Sequence, residues 1–440
     1  MSNGLEIMAR LPNPNAGPAF YIVASEVATH HFLRDKMGIP IPRIYDWSAE
    51  TCNPVGAEYI LEEKATGQPL GNVWANLTMA AQLDVVNQVV DMEKKIVSIS
   101  FPKHGCLYYE KDLKPRALDY EALDSRHGFS ESATGQNDQL PAFVIGPSFN
   151  AKLWKWEKAA IDLDRGPWES VADYAAALAK NEIDWASSHA RQRIDFHRYM
   201  ESLETPNDYI TLIKHFFGPC SIFGSFKYRA AQQDSHPDLH LDNVFIDPET
   251  NRVTCIIDWQ HTSACPISLQ RSYPQMLELS SSSHSDQSNH KRKLLDHYYN
   301  AVKESDPARW EVLSDPLLTV KTNPYVLVTG CWHREELFSL RNALIAVIAR
   351  WGDMGYGEIP CPVHFSEELL KHQHEMDLLE GISTVLHELQ DTGLIPLGGM
   401  VHREYYEHAM ELNDYSRRLF IDLAENERHR ELHVKVWPYQ

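Results

Sequence analysis

The sequence predicts an α+β fold with a small set of strands and a larger set of helices. Near the N-terminus, residues 5–11 are typical of a strand, 18–37 of a helix closed by Gly38 and Pro40, and 58–62 of a second strand. Residues 235–259 have the pattern of a loop, a strand, a tight turn and another strand. In the last third, from residue 332, apolar residues recur at helical spacing.

The stretch 235–259 predicts a β-hairpin with polar side chains at one edge. Residues 244–246 and 253–257 are apolar, and Asp247-Pro-Glu-Thr-Asn between them has turn chemistry. Pairing of the two strands brings their outer ends together, so Asp238, Asn243 and Asp258 converge. Two carboxylates and one amide suit an oxygen-liganded cation such as Mg²⁺.

The spacing of these residues narrows the prediction. Asp238 and Asn243 are five residues apart, as in the H-x-D-x-x-x-x-N loop of kinases, and Asp258 takes the place of the second metal ligand. The string His236-Pro-Asp-Leu-His-Leu-Asp-Asn243, followed by Ile-Ile-Asp258-Trp, resembles the aminoglycoside phosphotransferase family, a small-molecule branch of the protein-kinase-like fold. The resemblance implies that Asp238 is the catalytic base, that Asn243 and Asp258 bind Mg²⁺, and that His236 braces the loop.

Two strings near the N-terminus resemble fungal members of this family. Met-Ala-Arg10-Leu-Pro stands where kinases carry the basic residue for the α- and β-phosphates of ATP, and Ala-Ser-Glu26-Val-Ala-Thr resembles the family's helix with a pairing glutamate. The resemblance therefore assigns Arg10 and Glu26 to nucleotide binding. From the residues alone, a surface arginine on a strand and a solvated glutamate on a helix remain alternatives.

The segment Glu58-Tyr-Ile-Leu-Glu-Glu-Lys-Ala-Thr-Gly67 resembles the kinase hinge. By that resemblance, backbone groups at Glu62, Glu63 and Lys64 bind the adenine of ATP. The implied organisation is a two-lobe protein-kinase-like fold, with a truncated small N-lobe over residues 1–64 and a large, mainly helical C-lobe over 65–440.

One feature departs from the kinase pattern. Only nine residues precede Arg10, and Gly4 is the only glycine among them, so this sequence has no glycine-rich phosphate loop. Either that segment is missing from the sequence or this member has lost it. The prediction is thus an ATP- and Mg²⁺-dependent phosphotransferase acting on a hydroxyl of a small molecule, with a pseudokinase or binding protein as the alternative.

Two further interpretations of the hairpin remain open. His236, Asp238 and His240 match the H-x-D-x-H pattern of zinc and iron hydrolases, in which they would be metal ligands, although no other His or Cys group at ligand spacing follows nearby. The same residues could also form a surface turn that is rich in Asp and His by chance.

Composition limits the partners. A net charge of −20 argues against nucleic acid or an anionic membrane and fits a cationic or neutral substrate, or solubility alone. The longest pure apolar run, residues 343–349, is too short to span a membrane. Seven scattered cysteines without a C-x-x-C pair indicate reduced thiols. We expect a cytoplasmic protein, or a mitochondrial one if an upstream presequence is missing, and the oligomeric state stays open.

Five local predictions concern two loops, a phenylalanine pair, a helix cap and the segment after Asp258. Residues 110–140 and 280–293 are expected to be loops because they are polar and irregular. Phe216 and Phe217 are expected in the core, and Ser366 is expected to cap a helix that runs to about residue 389. The segment from Trp259 to Pro266 is short for a kinase activation segment, which favours a small-molecule acceptor over a protein.

Overall fold

The computed structural model describes residues 6–13, 15–123, 142–192, 204–223, 232–233, 236–278, 285–333, 337–356, 359–391 and 403–437. The chain divides into two compact units, one of residues 1–190 and 210–362 and the other of residues 191–209 and 363–440. The predicted lobe boundary at residue 64 lies inside the first unit, so the division into lobes stays a prediction.

The first sheet forms near the N-terminus and contains three antiparallel strands in the order β1–β3–β2. Its strands are β1 (Ile7–Arg10), β2 (Ile44–Ser48) and β3 (Tyr59–Glu63). Helix α1 (Ala19–His31) follows β1 and continues into a π-helical turn at Phe32–Lys36. Gly38, with φ of +64°, ends this helical stretch before Pro40.

The predicted hairpin is confirmed and joins a second sheet in the order β10–β9–β4. Its strands are β4 (Gln68–Pro69), β9 (Val244–Ile246) and β10 (Val253–Ile256). Gly67 precedes β4 with φ of +93°, and a Cβ at this position would lie 2.5 Å from the Ile246 carbonyl oxygen. Only glycine therefore fits there. On the other side of the hairpin, the Ile256 N–H donates to the Pro40 carbonyl oxygen at 2.7 Å.

Two smaller sheets support the loop side of the hairpin. One has the order β5–β7–β6 and the other pairs β8 with β11. Their strands are β5 (Cys106–Tyr109), β6 (Glu121–Ala122), β7 (Phe143–Gly146), β8 (Gln232–Gln233) and β11 (Cys265–Pro266). All four residues of β5 are buried, which places this strand in the main hydrophobic core.

Most of the remaining described chain is helical. Up to residue 349 the helices are α2 (Met79–Val97), α3 (Val171–His189), α4 (Pro206–Phe223), α5 (Ser285–Ser305), α6 (Pro307–Leu313), α7 (Leu318–Val328) and α8 (Leu337–Ala349). A buried triad links α2, α5 and α6, because Arg309 donates to Glu93 and to the Tyr298 hydroxyl, each at 3.0 Å. Within the described ranges, no helix is long and apolar enough to cross a bilayer.

The second unit is helical where it is described. Its helices are α9 (Glu367–Asp391), α10 (Tyr406–Asp422) and α11 (Glu427–Val436). Phe420 of α10 is buried against Trp437, and Arg428 of α11 pairs with Glu375 of α9 at 2.7 Å. The Ser366 cap of α9 is confirmed, since its Oγ accepts the Leu369 N–H at 3.2 Å.

The α+β class and the large helical part are confirmed, while the protein-kinase-like fold stays a prediction; three local predictions were wrong. Residues 285–293 are not a loop but the start of α5, because Leu294, Leu295 and Tyr298 on this helix pack into the core. Residues 110–116 form two short helical turns, while 124–140 lie outside the described residues. Phe216 is buried as expected, whereas Phe217 points outward and is 41% exposed.

Helix α3 offers a test of local stability. Its N-cap Ser170 accepts the Asp173 N–H at 3.1 Å and donates to the Asp173 carboxylate at 2.6 Å. We expect Ser170→Ala to lower the free energy of unfolding by about 1 kcal/mol, measured by urea denaturation, because a first-turn donor loses its partner. Ser187→Ala in the same helix removes only a hydroxyl bonded to the Ile183 carbonyl and serves as the control. An equal loss in both variants would contradict the capping role.

Candidate functional site

His236 fastens the loop that precedes β9 to the end of β10. Its Nε2 lies 2.9 Å from the Ile257 carbonyl oxygen and its Nδ1 accepts the Asp238 N–H at 3.2 Å. A carbonyl can only accept, so Nε2 carries the proton and the ring is neutral. Burial lowers the pKa of His236, which favours the same neutral form. The ring also packs edge-on against the buried Trp259, with centroids 4.6 Å apart.

Asn243 ties the same two segments together from the other side. Its side-chain Nδ2 donates to the Asp238 carbonyl oxygen at 3.0 Å, and its own carbonyl oxygen accepts the Ile257 N–H at 3.0 Å. Ile257 is thus held by His236 through its carbonyl and by Asn243 through its N–H. Because Asp258 follows directly, its position is set by these backbone bonds.

Asp258 itself has an uncommon backbone conformation, with φ of +62°. An aspartate tolerates this left-handed region better than most residues, but the conformation still carries strain that the surroundings must offset. The buried Trp259, which donates its indole N–H to the Ile256 carbonyl at 3.1 Å, provides part of that support. The side chains of Asp238 and Asp258 remain accessible, at 52% and 40% exposure.

Arg10 joins this edge to the N-terminal sheet and helix. One terminal nitrogen, Nη1, lies 2.6 Å from Glu26 of α1 and 3.4 Å from Glu62 of β3. The other, Nη2, lies 3.8 Å from Oδ1 of Asp258. Glu26 and Glu62 are buried, whereas Arg10 is 26% exposed. Neither Arg10 nor Glu26 is the solvated surface residue that the sequence left as an alternative.

The cluster around Arg10 holds more negative than positive charge. Three carboxylates share one guanidinium, and burial raises the pKa of Glu26 to about 7 although Arg10 opposes this rise. Burial also raises the pKa of Glu62. Those carboxylates outweigh the effect of burial on Arg10 and raise its pKa, so the guanidinium stays charged.

His30 belongs to this cluster and was missed by the sequence analysis. It is 1% exposed, and its ring nitrogens lie 3.7 Å from Glu26 and 3.9 Å from Glu62. Burial lowers its pKa well below the usual range, so the ring is neutral. Neither ring nitrogen has a hydrogen-bond partner in the part of the chain that the structure describes. Its position one helical turn after Glu26 was the available signal.

The three residues predicted at the hinge lie at the end of β3, but their side chains differ. Glu62 points inward to Arg10, while Glu63 accepts the Arg43 N–H at 3.2 Å and Lys64 pairs with Glu6 at 2.9 Å. The proposed contacts of their backbone with adenine stay a prediction.

The two histidines of the H-x-D-x-H pattern are held by the backbone of their own loop and of the segment after β10. Both ring nitrogens of His236 are used in backbone hydrogen bonds, and Nδ1 of His240 accepts the Asp242 N–H at 3.2 Å. Across the described ranges, no group of three or more His, Cys, Asp or Glu side chains is placed to hold a metal ion.

An amide and a carboxylate are the donors that could hold a hard cation. Since Nδ2 of Asn243 is bonded to the loop, its Oδ1 is the atom suited to coordinate a metal. Oδ1 of Asp258 is shielded from solvent and has no hydrogen-bond partner among the residues described. An unsatisfied carboxylate oxygen and an amide oxygen are donors of the kind that Mg²⁺ prefers.

Among the relatives of this chain are two fungal proteins of under 30% identity. No protein-family model matches the chain. A subtelomeric hrmA-associated cluster protein of Aspergillus fumigatus is 29% identical over the whole of this chain and 93% of its own length. Altered inheritance of mitochondria protein 9, mitochondrial, of Lachancea thermotolerans is 28% identical over 58% of this chain. The chain spans only 44% of that protein.

Solved structures with partial similarity are aminoglycoside phosphotransferases. The streptomycin–ATP–APH(2″)-IIa ternary complex is 11% identical, with a TM-score of 0.37 over 78% of this chain and 86% of that one. A thermostable mutant of APH(4)-Ia in complex with AMP-PNP and hygromycin B is 12% identical, with a TM-score of 0.35 over 80% and 88% of the chains.

The raised pKa of Glu26 predicts a pH-dependent stability. An unfolded glutamate titrates near 4.5 and the folded one near 7, so the folded state binds more protons between these values. The stability from protonated Glu26 is fully present below about pH 4.5 and is lost as the pH rises through about 7. Between about pH 4.5 and 7, we expect the free energy of unfolding of wild type to fall by up to about 3 kcal/mol more than that of Glu26→Gln. Each pKa unit is worth 1.36 kcal/mol.

The measurement is the free energy of unfolding by urea at several pH values. Glu63→Gln is the matched control, because it makes the same chemical change at a glutamate beside Glu62 whose side chain is 37% exposed. Parallel pH profiles for wild type and Glu26→Gln would show that Glu26 does not titrate in this range.

Proposed function

We propose that this protein belongs to the aminoglycoside phosphotransferase family and transfers the γ-phosphoryl group of ATP to a hydroxyl of a small molecule, with Mg²⁺. The single observation that carries this proposal is the bridge from Arg10 to Asp258. Arg10 pairs with the buried Glu26 and lies 3.8 Å from Asp258, while Asn243 bonds to the backbone of Asp238 and of Ile257, the residue before Asp258. A cation, a metal-binding edge and an accessible carboxylate in that order are what phosphoryl transfer needs.

Each residue of the site has a separate role in the proposed phosphoryl transfer. The acceptor hydroxyl oxygen attacks the γ-phosphorus, the bond from that phosphorus to the β,γ-bridging oxygen breaks, and ADP leaves with the electron pair. Asp238 accepts or orients the hydroxyl proton, which then passes to solvent through its exposed carboxylate. Arg10, held by Glu26, is the cation for the α- and β-phosphates. His236 positions the loop through its neutral ring and does not itself exchange a proton.

Asn243 and Asp258 are the residues that would hold Mg²⁺ through Oδ1 of each side chain. When bound, the ion offsets the negative charge of the phosphates. The backbone bonds of Ile257 to His236 and Asn243 hold the main chain on which Asp258 is carried, and the bond from Nδ2 of Asn243 to Asp238 orients the Asn243 amide.

A small-molecule acceptor fits the segment after Asp258. Only the six residues Trp259 to Ala264 separate it from β11, and Trp259 and Ala264 are buried. Thr262 is buried as well and donates its hydroxyl to the Trp259 carbonyl at 2.8 Å. So short and so internally bonded a segment offers no extended platform for a peptide.

Location is a separate proposal. The sequence favours the cytoplasm, whereas the relative from Lachancea thermotolerans is named as a mitochondrial protein. We propose the cytoplasm as the default and the mitochondrion as the alternative, to be distinguished by fractionation of cells that express the natural gene.

Nucleotide binding is tested by a thermal melt with and without Mg²⁺-ATP. Ligand at about 100 times its Kd should stabilise the fold by roughly 2.7 kcal/mol. We expect Asp258→Ala to abolish this shift, because a metal ligand is lost, and Asp184→Ala on the surface of α3 to retain it. A folded wild type without a shift would contradict nucleotide binding.

Catalysis is tested separately with Asp238→Asn. We expect this variant to keep the Mg²⁺-ATP shift while kcat for phosphoryl transfer falls by about 10²- to 10⁴-fold, since only the proton acceptor is removed. Phosphorylated product is measured by mass spectrometry. A wild type that binds Mg²⁺-ATP but transfers nothing to water or to any alcohol would instead indicate a pseudokinase.

A further inference from the structure

A pocket of about 540 Å³ opens beside the catalytic loop. Its wall includes Pro237, which lies between His236 and Asp238, and His261, which lies three residues after Asp258. Because Pro237 adjoins Asp238 and His261 follows Asp258 by three residues, the pocket lies next to the proposed transfer site.

The body of the pocket is partly aromatic. Phe149 packs on the His261 ring with centroids 5.2 Å apart, and Tyr174 of α3 stacks with Tyr325 of α7 at 6.3 Å and 10°. Such walls bind a flat or apolar group better than a fully hydrated polyol.

The charged residues that line this pocket are opposite in sign to the net charge of the chain. Lys152 and Lys155 are among them, and the described lining residues include no aspartate or glutamate. Lys152 donates to the Val326 carbonyl oxygen at 3.1 Å, which holds its ammonium at the wall. Lys155 is exposed and forms no ion pair with any residue that the structure describes.

The other titratable groups of the wall do not alter this charge. Burial lowers the pKa of His104 to about 3 and lowers that of His261 as well, so both rings are neutral. Burial raises the pKa of Tyr174, which stays protonated. The two lysines are therefore the charged groups among the described lining residues.

A second cavity differs from this pocket because acidic side chains line it. It has a volume of about 760 Å³ and is lined by three cationic residues and by five carboxylates, Asp119, Asp162, Asp164, Glu169 and Asp173. A polycation would be better accommodated there than beside Lys155, because like charges in contact destabilise a complex.

We infer that the pocket beside the catalytic loop binds the acceptor as an anionic alcohol, with a carboxylate or phosphonate-like group at Lys155 and an aromatic or apolar body against the lining residues Phe149 and Tyr174. This inference rests on the proposed phosphotransferase function and names its substrate class. In the transfer, the alcohol oxygen forms the bond to the γ-phosphorus, ADP departs, and the proton goes to Asp238. The anionic group takes no part in the bonds that form or break.

The test uses compounds of one shape and different charge. They are 4-(hydroxymethyl)benzoate, 4-(hydroxymethyl)benzamide and 4-(hydroxymethyl)benzylamine, with 4-(hydroxymethyl)phenylphosphonate as the second anion. Dissociation constants are measured on the full chain without nucleotide, by ligand-observed NMR. We expect the anions to bind about three- to tenfold more tightly than the amide and the amine most weakly. This order should disappear near 1 M salt, where the Debye length is about 3 Å.

A charge-reversal variant locates the effect. Lys155→Glu should reverse the preference between benzoate and benzylamine. Because the Lys155 side chain is exposed, we expect this variant to fold like wild type. Lys180→Glu makes the same change at the 760 Å³ cavity and should leave the preference intact. Equal or tighter binding of the amine in wild type, no binding of any compound, or an unchanged preference in Lys155→Glu would overturn the inference.

The Mg²⁺-ATP melt on the same samples separates the two proposals. A preference for anions without nucleotide binding would refute the phosphotransferase and leave the anion pocket standing. Nucleotide binding with a preference for the amine would refute the anionic acceptor and leave the phosphotransferase standing. Product formation with Mg²⁺-ATP should follow the binding order, with the difference in KM rather than in kcat.

Discussion

The charge on Arg10 is the interaction on which the rest of the site depends. One guanidinium faces carboxylates from helix α1, strand β3 and the segment after β10, so three elements that are distant in sequence share a single cation. Because one positive charge cannot neutralise three buried or half-buried acids, the cluster is left with a negative excess. A cation bound at Asp258 would reduce this excess and strengthen the same junction. Binding and stability are therefore coupled at this point.

Much of this arrangement could be predicted because it is encoded locally. The hairpin follows from two apolar runs and a turn, and the spacing of its polar residues brings them to one edge. Helix α5 could not be predicted in this way, since its first turns are rich in Ser and His and it is stabilised by packing of Leu294 and Tyr298. The inward side chain of Glu62 was overlooked although it shares a strand face with the buried Ile60. Packing against other parts of the chain determines both the helical state of this segment and the inward orientation of Glu62.

The net charge of the chain and the charge of its pocket have different effects on a bound molecule. The chain carries 61 acidic and 41 basic residues, which by itself favours a cationic or neutral acceptor. Screening limits each exposed charge to about 10 Å at ordinary salt. What a bound molecule experiences is then decided by the few side chains in contact with it, and around the pocket near Pro237 these include Lys152 and Lys155. A whole-chain charge describes solubility and long-range approach, while selectivity is set at the wall.

The two backbone attachments of the hairpin, at Pro40 and Gly67, have a mechanical consequence. Both strands β2 and β3 lie between these points, and each point is held to the hairpin by main-chain contacts, at Ile256 on one side and Ile246 on the other. Both ends of the segment that contains β2 and β3 are thus anchored to the same hairpin that precedes Asp258. Because Arg10 pairs through β1 with β3, the separation of 3.8 Å between Arg10 and Asp258 depends on both anchors.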